Sequence, residues 1–155
     1  MDSWRTPLSR SLWPGALASL ASTLALAACG KRETGSMFAG VNAVSHWVWG
    51  QQATRADAAS LKYTLVGYLI HHAAAMFWAV LFEKTCRKTL DQRDPGGTVT
   101  AAAAATAVAC FTDYQLTPKR LQPGFEDRLS RPSLLLVYTA FGVGLAAGAW
   151  LNRRA

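Results

Sequence analysis

The chain alternates between long uncharged runs and short clusters of charge. Five runs contain no Asp, Glu, Lys or Arg: residues 11–30, 34–54, 63–82, 95–112 and 132–152. A soluble domain distributes charge along its surface, whereas a helix that crosses a bilayer core of ~30 Å needs roughly 20 mainly apolar residues. Four of these runs are mainly apolar over most of that length, whereas in the run over residues 34–54 only residues 37–50 are mainly apolar. The pattern therefore predicts an integral membrane protein of the all-α class.

Four transmembrane helices are predicted within one membrane domain that covers residues 1–155. Their approximate spans are 12–29, 63–82, 97–112 and 132–151. The second carries Tyr63 at one rim and Glu83 with Lys84 at the other, as interface anchoring requires. The last contains Gly144 and Gly148 at a small-xxx-small spacing, which favours close helix packing, here expected within the bundle rather than between two copies.

The stretch "NAVSHWVWG" lies in a shorter apolar segment, residues 37–50. At the rise of an α-helix this segment is about 21 Å long, which is too short for a full crossing. Runs of this length form re-entrant, interfacial or buried helices. Trp47 and Trp49 are then expected at the level of the lipid head groups. The prediction is a bundle of four transmembrane helices plus one short re-entrant or interfacial helix.

The first run admits two interpretations. Arg5 and Arg10 followed by apolar residues are typical of a first membrane helix and of a secretory signal. The ending Leu-Ala-Ala-Cys-Gly also matches a bacterial lipobox, in which Cys29 would be lipidated and become the mature N-terminus. Because further membrane segments follow closely, a retained helix is the favoured interpretation.

The net charge of +7 does not indicate nucleic-acid binding. The basic residues lie at the ends of apolar runs rather than along one helix face, where they contact anionic head groups. The expected partner is thus the bilayer. Lys and Arg divide equally between the two sides, so the positive-inside rule gives no orientation; basic residues near both termini favour a cytoplasmic location for both. The 3 cysteines have neither zinc nor disulfide spacing.

Polar groups inside apolar runs are the candidates for a site. Ionisable residues near a bilayer centre are costly and usually face the bundle interior. Helical spacing places one row of side chains, the seam, on one side of the 63–82 helix: Tyr68, His72, Met76, Ala79 and Glu83. His71 points about 100° away from the seam. On the short segment, Asn42 is placed to orient His46 one turn later. The candidate polar membrane site comprises Asn42, His46, Tyr68, His71, His72, Met76 and Glu83.

Three roles stay open for these groups. His46 and His72, with Met76 as an additional ligand, are suited to bind haem iron or copper. Alternatively, neutral histidines form hydrogen bonds between helices and stabilise the packing of the bundle. A proton or ion path along Tyr68, His72 and Glu83 is the third. The histidines have no HxxxH, CxxCH or carboxylate-rich pattern around them, so no bound cofactor is the expectation and the identity of any metal is open.

Enzyme signatures are missing from the sequence. It contains no G-x-S-x-G, no Walker loop and no dinucleotide fingerprint. Asp113 and the pair Glu126 and Asp127 are interpreted as rim charges. The expectation is therefore a protein without enzymatic activity, although a lipid-modifying enzyme with His46 as base is conceivable.

Three stretches resemble a family of small, uncharacterised inner-membrane proteins of proteobacteria: "CGKRETGSMFAGVNAVSHWVWG", "LKYTLVGYLIHHAAAMFWAVLFEK" and "LTPKRLQPGFEDRLSRPSLLLVY". The resemblance implies a multi-pass protein of the bacterial inner membrane and transfers no activity to any residue. It also favours the retained helix over lipidation of Cys29. The expected function is that of a structural or accessory component that packs with itself or with a larger membrane complex.

Overall fold

The computed structural model describes residues 4–154, which form helices and their connections without any strand. Single 3-10 or wide helical turns fill several of the connections. The helices are α1 (Arg5–Arg10), α2 (Leu12–Thr34), α3 (Ala39–Val44), α4 (His46–Trp49), α5 (Val66–Thr85), α6 (Arg87–Asp91), α7 (Pro95–Phe111) and α8 (Arg131–Arg154).

Three of the helical segments are long and apolar enough to cross a membrane: Leu12–Thr34, Leu61–Thr85 and Arg131–Arg153. The predicted all-α architecture is confirmed, and these three helices support the predicted membrane class. Each helix extends a few residues beyond its uncharged run and carries charged side chains near its ends. α7 has 17 residues and is followed by a wide turn over Thr112–Leu116.

α2 and α8 run antiparallel and form the closest helix pair. At one end of the bundle the Glu33 carboxylate accepts hydrogen bonds from the Ser130 backbone N–H (2.7 Å) and the Ser133 hydroxyl (2.5 Å). At the other end the Asn152 amide donates to the Arg10 carbonyl (2.9 Å). We name the first end, where the loops before α5 and α8 lie, the loop end. The opposite end, which holds α1 and the last turn of α8, is the terminal end.

The buried core has two parts, one toward each end. The part toward the terminal end contains Ala18, Ala75, Ala79, Phe82, Leu90, Ala102, Phe141, Leu145 and Ala149. The part toward the loop end contains Leu26, Cys29, Val41, Val44, Phe125, Leu129, Val137 and Tyr138. The first is rich in alanine, and small side chains allow helix backbones to approach closely. Cys29 lies inside the continuous helix α2, with its thiol buried.

The segment over residues 37–50 forms two short helices, α3 and α4, that begin and end at the loop end. Every residue of α3 is buried. Gly67 lies directly against the backbone of Val41, so that no side chain fits between α3 and α5. The fully buried Asn42 fixes the following loop, because its amide donates to the Ala56 and Ala58 carbonyls (2.9 Å each) and accepts from the Thr64 hydroxyl (2.7 Å).

Candidate functional site at the loop end

Two loop-end segments that are far apart in sequence contact each other directly. Gly124, with φ +89°, lies against the His46 ring. The Trp47 indole donates to the Gln122 carbonyl (2.9 Å). Arg128 extends the contact by donating to the Thr54 carbonyl (2.6 Å). The His-Trp pattern and the Pro-Gly-Phe-Glu pattern thus form one unit that closes the loop end.

Gly124→Ala is expected to detach the loop that contains Gly124 from His46 and Trp47. A Cβ at Gly124 would lie 2.6 Å from the Ala43 carbonyl oxygen and 2.5 Å from His46 Nδ1, in addition to the strain of a positive φ for alanine. We expect the free energy of unfolding to fall by about 2 kcal/mol. We also expect faster tryptic cleavage after Lys119 and Arg120, mapped by mass spectrometry.

Gly35→Ala is the matched control for this substitution. Gly35 also has a positive φ, +79°, but no atom lies within 4 Å of the position that an alanine Cβ would take there. It therefore carries the conformational strain without the clash. Equal cleavage rates in the two variants would show that the contact between Gly124 and His46 does not hold the loop.

Behind the loop lies a small group of buried polar atoms. His46 Nδ1 is 2.9 Å from the Ala43 carbonyl, which can only accept, so Nδ1 carries the hydrogen. Burial raises the pKa of the Glu126 carboxyl, and its backbone hydrogen bonds and the nearby His46 offset part of this shift. Within the described chain, Glu126 Oε2 and the Tyr114 hydroxyl are buried without a hydrogen-bond partner.

A cavity of about 520 Å³ opens beside this unit, between α5, α7 and α8. Its walls are mostly apolar and include Val44, Ile70, Ala74, Trp78, Val137 and Phe141. α5 and α7 contact each other sparsely along this side. Phe77, which lines the cavity, is more than half exposed on the outer face of α5. The opening therefore faces sideways, toward the surroundings of the bundle.

Two hydrogen-bonded pairs interrupt the apolar walls. The Ser22 hydroxyl of α2 lies 2.7 Å from His71 Nε2 of α5. The Tyr138 hydroxyl of α8 donates to Asp113 (2.6 Å), just beyond the end of α7. The Phe125 ring lies between the pairs, 6.4 Å from the His71 ring and 6.5 Å from that of Tyr138.

The structure distributes the predicted seam along α5 over separate environments. Tyr68 stacks on His72 at 5.9 Å, and His72 Nδ1 is buried without a partner in the described chain. Met76 lies against Gly15, near the beginning of α2 at the terminal end. His46 lies at the loop end, so the structure does not bring it together with Met76. Among residues 4–154, no three or more His, Cys, Asp or Glu side chains form a group that could hold a metal ion.

Two other predicted residues have partners that differ from the expected ones. Asn42 does not orient His46, since its amide is fully engaged by the loop before α5. Glu83 forms a buried ion pair with Arg153, at 2.8 Å between Oε2 and Nη2. The Glu83 carboxylate is thereby committed to a contact between α5 and α8.

The sequence interpretation missed Ser22 and Tyr138 and assigned Asp113 to the rim. A serine inside an alanine-rich helix is unremarkable in sequence, and no local spacing pairs it with His71. The only available signal was that Asp113 directly follows an apolar run. No family model, curated protein or solved structure matches the chain.

Proposed function

We propose that this chain is a four-crossing, non-catalytic accessory protein of the bacterial inner membrane that binds one amphiphilic molecule in the cavity between α5, α7 and α8. The molecule has a long apolar body and enters from the hydrocarbon of the bilayer. Membership in the family of small inner-membrane proteins is part of the proposal.

The fourth crossing is α7. α5 ends at the terminal end and α8 begins at the loop end, so the chain between them must travel the length of the bundle. With 17 residues α7 is about 26 Å long, and the wide turn after it supplies further length. The segment over residues 37–50 starts and finishes at the loop end, which supports a re-entrant or interfacial placement without a crossing.

The cavity is the observation that carries the proposal. Its volume of about 520 Å³ falls within the range of about 300 to 1,000 Å³ that is usual for small-molecule sites. Apolar walls with a small number of polar groups are typical of such sites. Since the opening lies between membrane helices, an apolar molecule reaches it from the bilayer without passing through water.

The polar pairs support binding rather than catalysis. The Ser22 hydroxyl is within 2.7 Å of both His71 Nε2 and the Ala18 carbonyl. A serine nucleophile also requires oriented donors for the oxyanion, and in the middle of α2 the backbone N–H groups are used by the helix. The pair therefore connects α2 to α5 and leaves the second ring nitrogen of His71 for a ligand.

Ala74→Trp is the test of the cavity. Ala74 lines the cavity wall, and an indole there fills space that the ligand needs. Native mass spectrometry of the protein in mild detergent is expected to show one bound amphiphile on the wild type and at least a tenfold lower occupancy on Ala74→Trp.

Ala104→Trp is the control, because Ala104 is exposed on α7 and lies outside the cavity walls. It is expected to retain the bound molecule at the wild-type level. The proposal fails if the wild type carries no amphiphile, or if Ala74→Trp and the wild type are equally occupied.

A further inference from the structure

We propose that the amphiphile is anionic and that Lys119 and Arg120 bind its head group at the loop end of the cavity. This inference rests on the proposed function and adds the chemical class of the ligand. The turn Lys119–Leu121 places two cations next to an apolar opening. The class that fits is a membrane lipid with a phosphate or carboxylate head, whose chain lies between α5 and α7.

The turn that carries the two cations is part of the cavity wall. Thr117, Leu121 and Pro123, on either side of them, all line the cavity. Lys119 and Arg120 themselves are exposed. Arg120 directly precedes the lining residue Leu121, and Lys119 lies two residues after the lining residue Thr117. The two exposed cations therefore belong to the same turn as residues that contact the cavity interior.

The turn is held in place by hydrogen bonds. The Leu121 N–H donates to the Pro118 carbonyl (2.7 Å), and the Gln122 side chain donates to the Thr117 carbonyl (3.3 Å). The Trp47 indole donates to the Gln122 carbonyl from α4 (2.9 Å). The backbone that presents the two cations is therefore preorganised, which reduces the entropy cost of binding.

Lys119 and Arg120 differ from the engaged basic residues of the loop end. Arg128 is paired with Asp57, Arg32 with Glu33, and Lys31 with the Gly35 carbonyl. Lys119 and Arg120 have no ion pair or hydrogen bond from their side chains within the described residues. An ammonium and a guanidinium side by side are suited to an anionic oxygen head, the guanidinium through paired hydrogen bonds.

The interior of the cavity is compatible with an anionic head at its mouth. Asp113 is the acidic side chain among the described lining residues. Its carboxylate is already engaged by a hydrogen bond from the Tyr138 hydroxyl. Leu116 and Leu121 are exposed beside the mouth and place this turn at the boundary between hydrocarbon and head groups.

Native mass spectrometry with defined lipids tests the inference. Delipidated full-length protein is mixed with dioleoyl phosphatidic acid, with dioleoylglycerol, which has the same chains but no charge, or with oleate. We expect phosphatidic acid and oleate to bind at least tenfold more than dioleoylglycerol on the wild type. Lys119→Ser with Arg120→Ser is expected to remove this preference and leave dioleoylglycerol binding unchanged.

Arg5→Ser with Lys88→Ser is the charge-matched control, since both residues are exposed at the terminal end. It is expected to keep the preference. The inference is overturned if the Lys119 and Arg120 variant keeps the preference, if the control loses it equally, or if inorganic phosphate alone displaces phosphatidic acid. If both double variants keep the preference for anionic lipids and Ala74→Trp still blocks every lipid, the head-group site is refuted and the proposed binding in the cavity is not. Undiminished lipid binding on Ala74→Trp refutes the proposed function itself.

Discussion

Gly148→Leu is expected to separate α2 from α8 and to unfold the bundle in mild detergent. A Cβ at Gly148 would lie 2.4 Å from Pro14 Cα and 2.5 Å from Pro14 N. These are backbone atoms of α2, so the clash is relieved only when one helix moves away from the other. Overpacking usually costs about 1 to 3 kcal/mol, and we expect the upper end or more here. The gain in helix propensity, about 1 kcal/mol, does not offset it.

Ala147→Leu is the control at the neighbouring position of α8. Ala147 is exposed, so its larger side chain meets the surroundings of the bundle instead of α2. Unfolding by increasing concentrations of a denaturing detergent, followed by circular dichroism and by protease resistance, measures both variants. Equal midpoints would mean that α2 and α8 do not approach each other as closely as the structure has them.

The long helices were predictable because hydropathy is a local property of the chain. An uncharged apolar run over about 20 residues leaves a helix as the structure that satisfies its backbone in a bilayer. The runs that begin near residues 11, 63 and 132 therefore coincide with α2, α5 and α8. The segment over residues 37–50 was predicted as one short helix, and the structure has two short helices there. The division of this segment into α3 and α4, and the burial of α3, depend on packing against α2 and α5. The hydropathy pattern of the segment itself holds no information about that packing.

The site was predictable only in part, because spacing gives the face of a helix but not the neighbour that packs on it. His71 was identified as polar inside an apolar run, yet its partner Ser22 lies on another helix. Tyr138 and Asp113 are likewise brought together by tertiary packing. The seam along α5 does not form one site, since its side chains contact different elements along the helix.

Glu83→Leu is expected to destabilise the protein by about 3 to 5 kcal/mol, because it leaves the Arg153 guanidinium buried without its main partner. The two side chains form a bidentate pair, with Nη1 to Oε1 at 2.9 Å and Nη2 to Oε2 at 2.8 Å, and their exposed fractions are 1% for Glu83 and 7% for Arg153. Asp91 accepts a further bond from Arg153 Nε (3.2 Å) but is itself 42% exposed. The Asp91 carboxylate therefore compensates little for the loss of Glu83.

The double substitution Glu83→Leu with Arg153→Leu separates the two contributions to this effect. It removes both charges, and replacing a buried pair by apolar groups is often nearly neutral. We expect it to recover most of the stability lost in Glu83→Leu, measured by the same detergent titration. Arg87→Leu is the exposed control: it breaks the contact with Asp91 at 3.5 Å, where the side chains are 52% and 42% exposed, and we expect a change below about 1 kcal/mol. A Glu83→Leu variant as stable as Arg87→Leu would mean that water reaches Arg153 and that the pair does not connect α5 to α8.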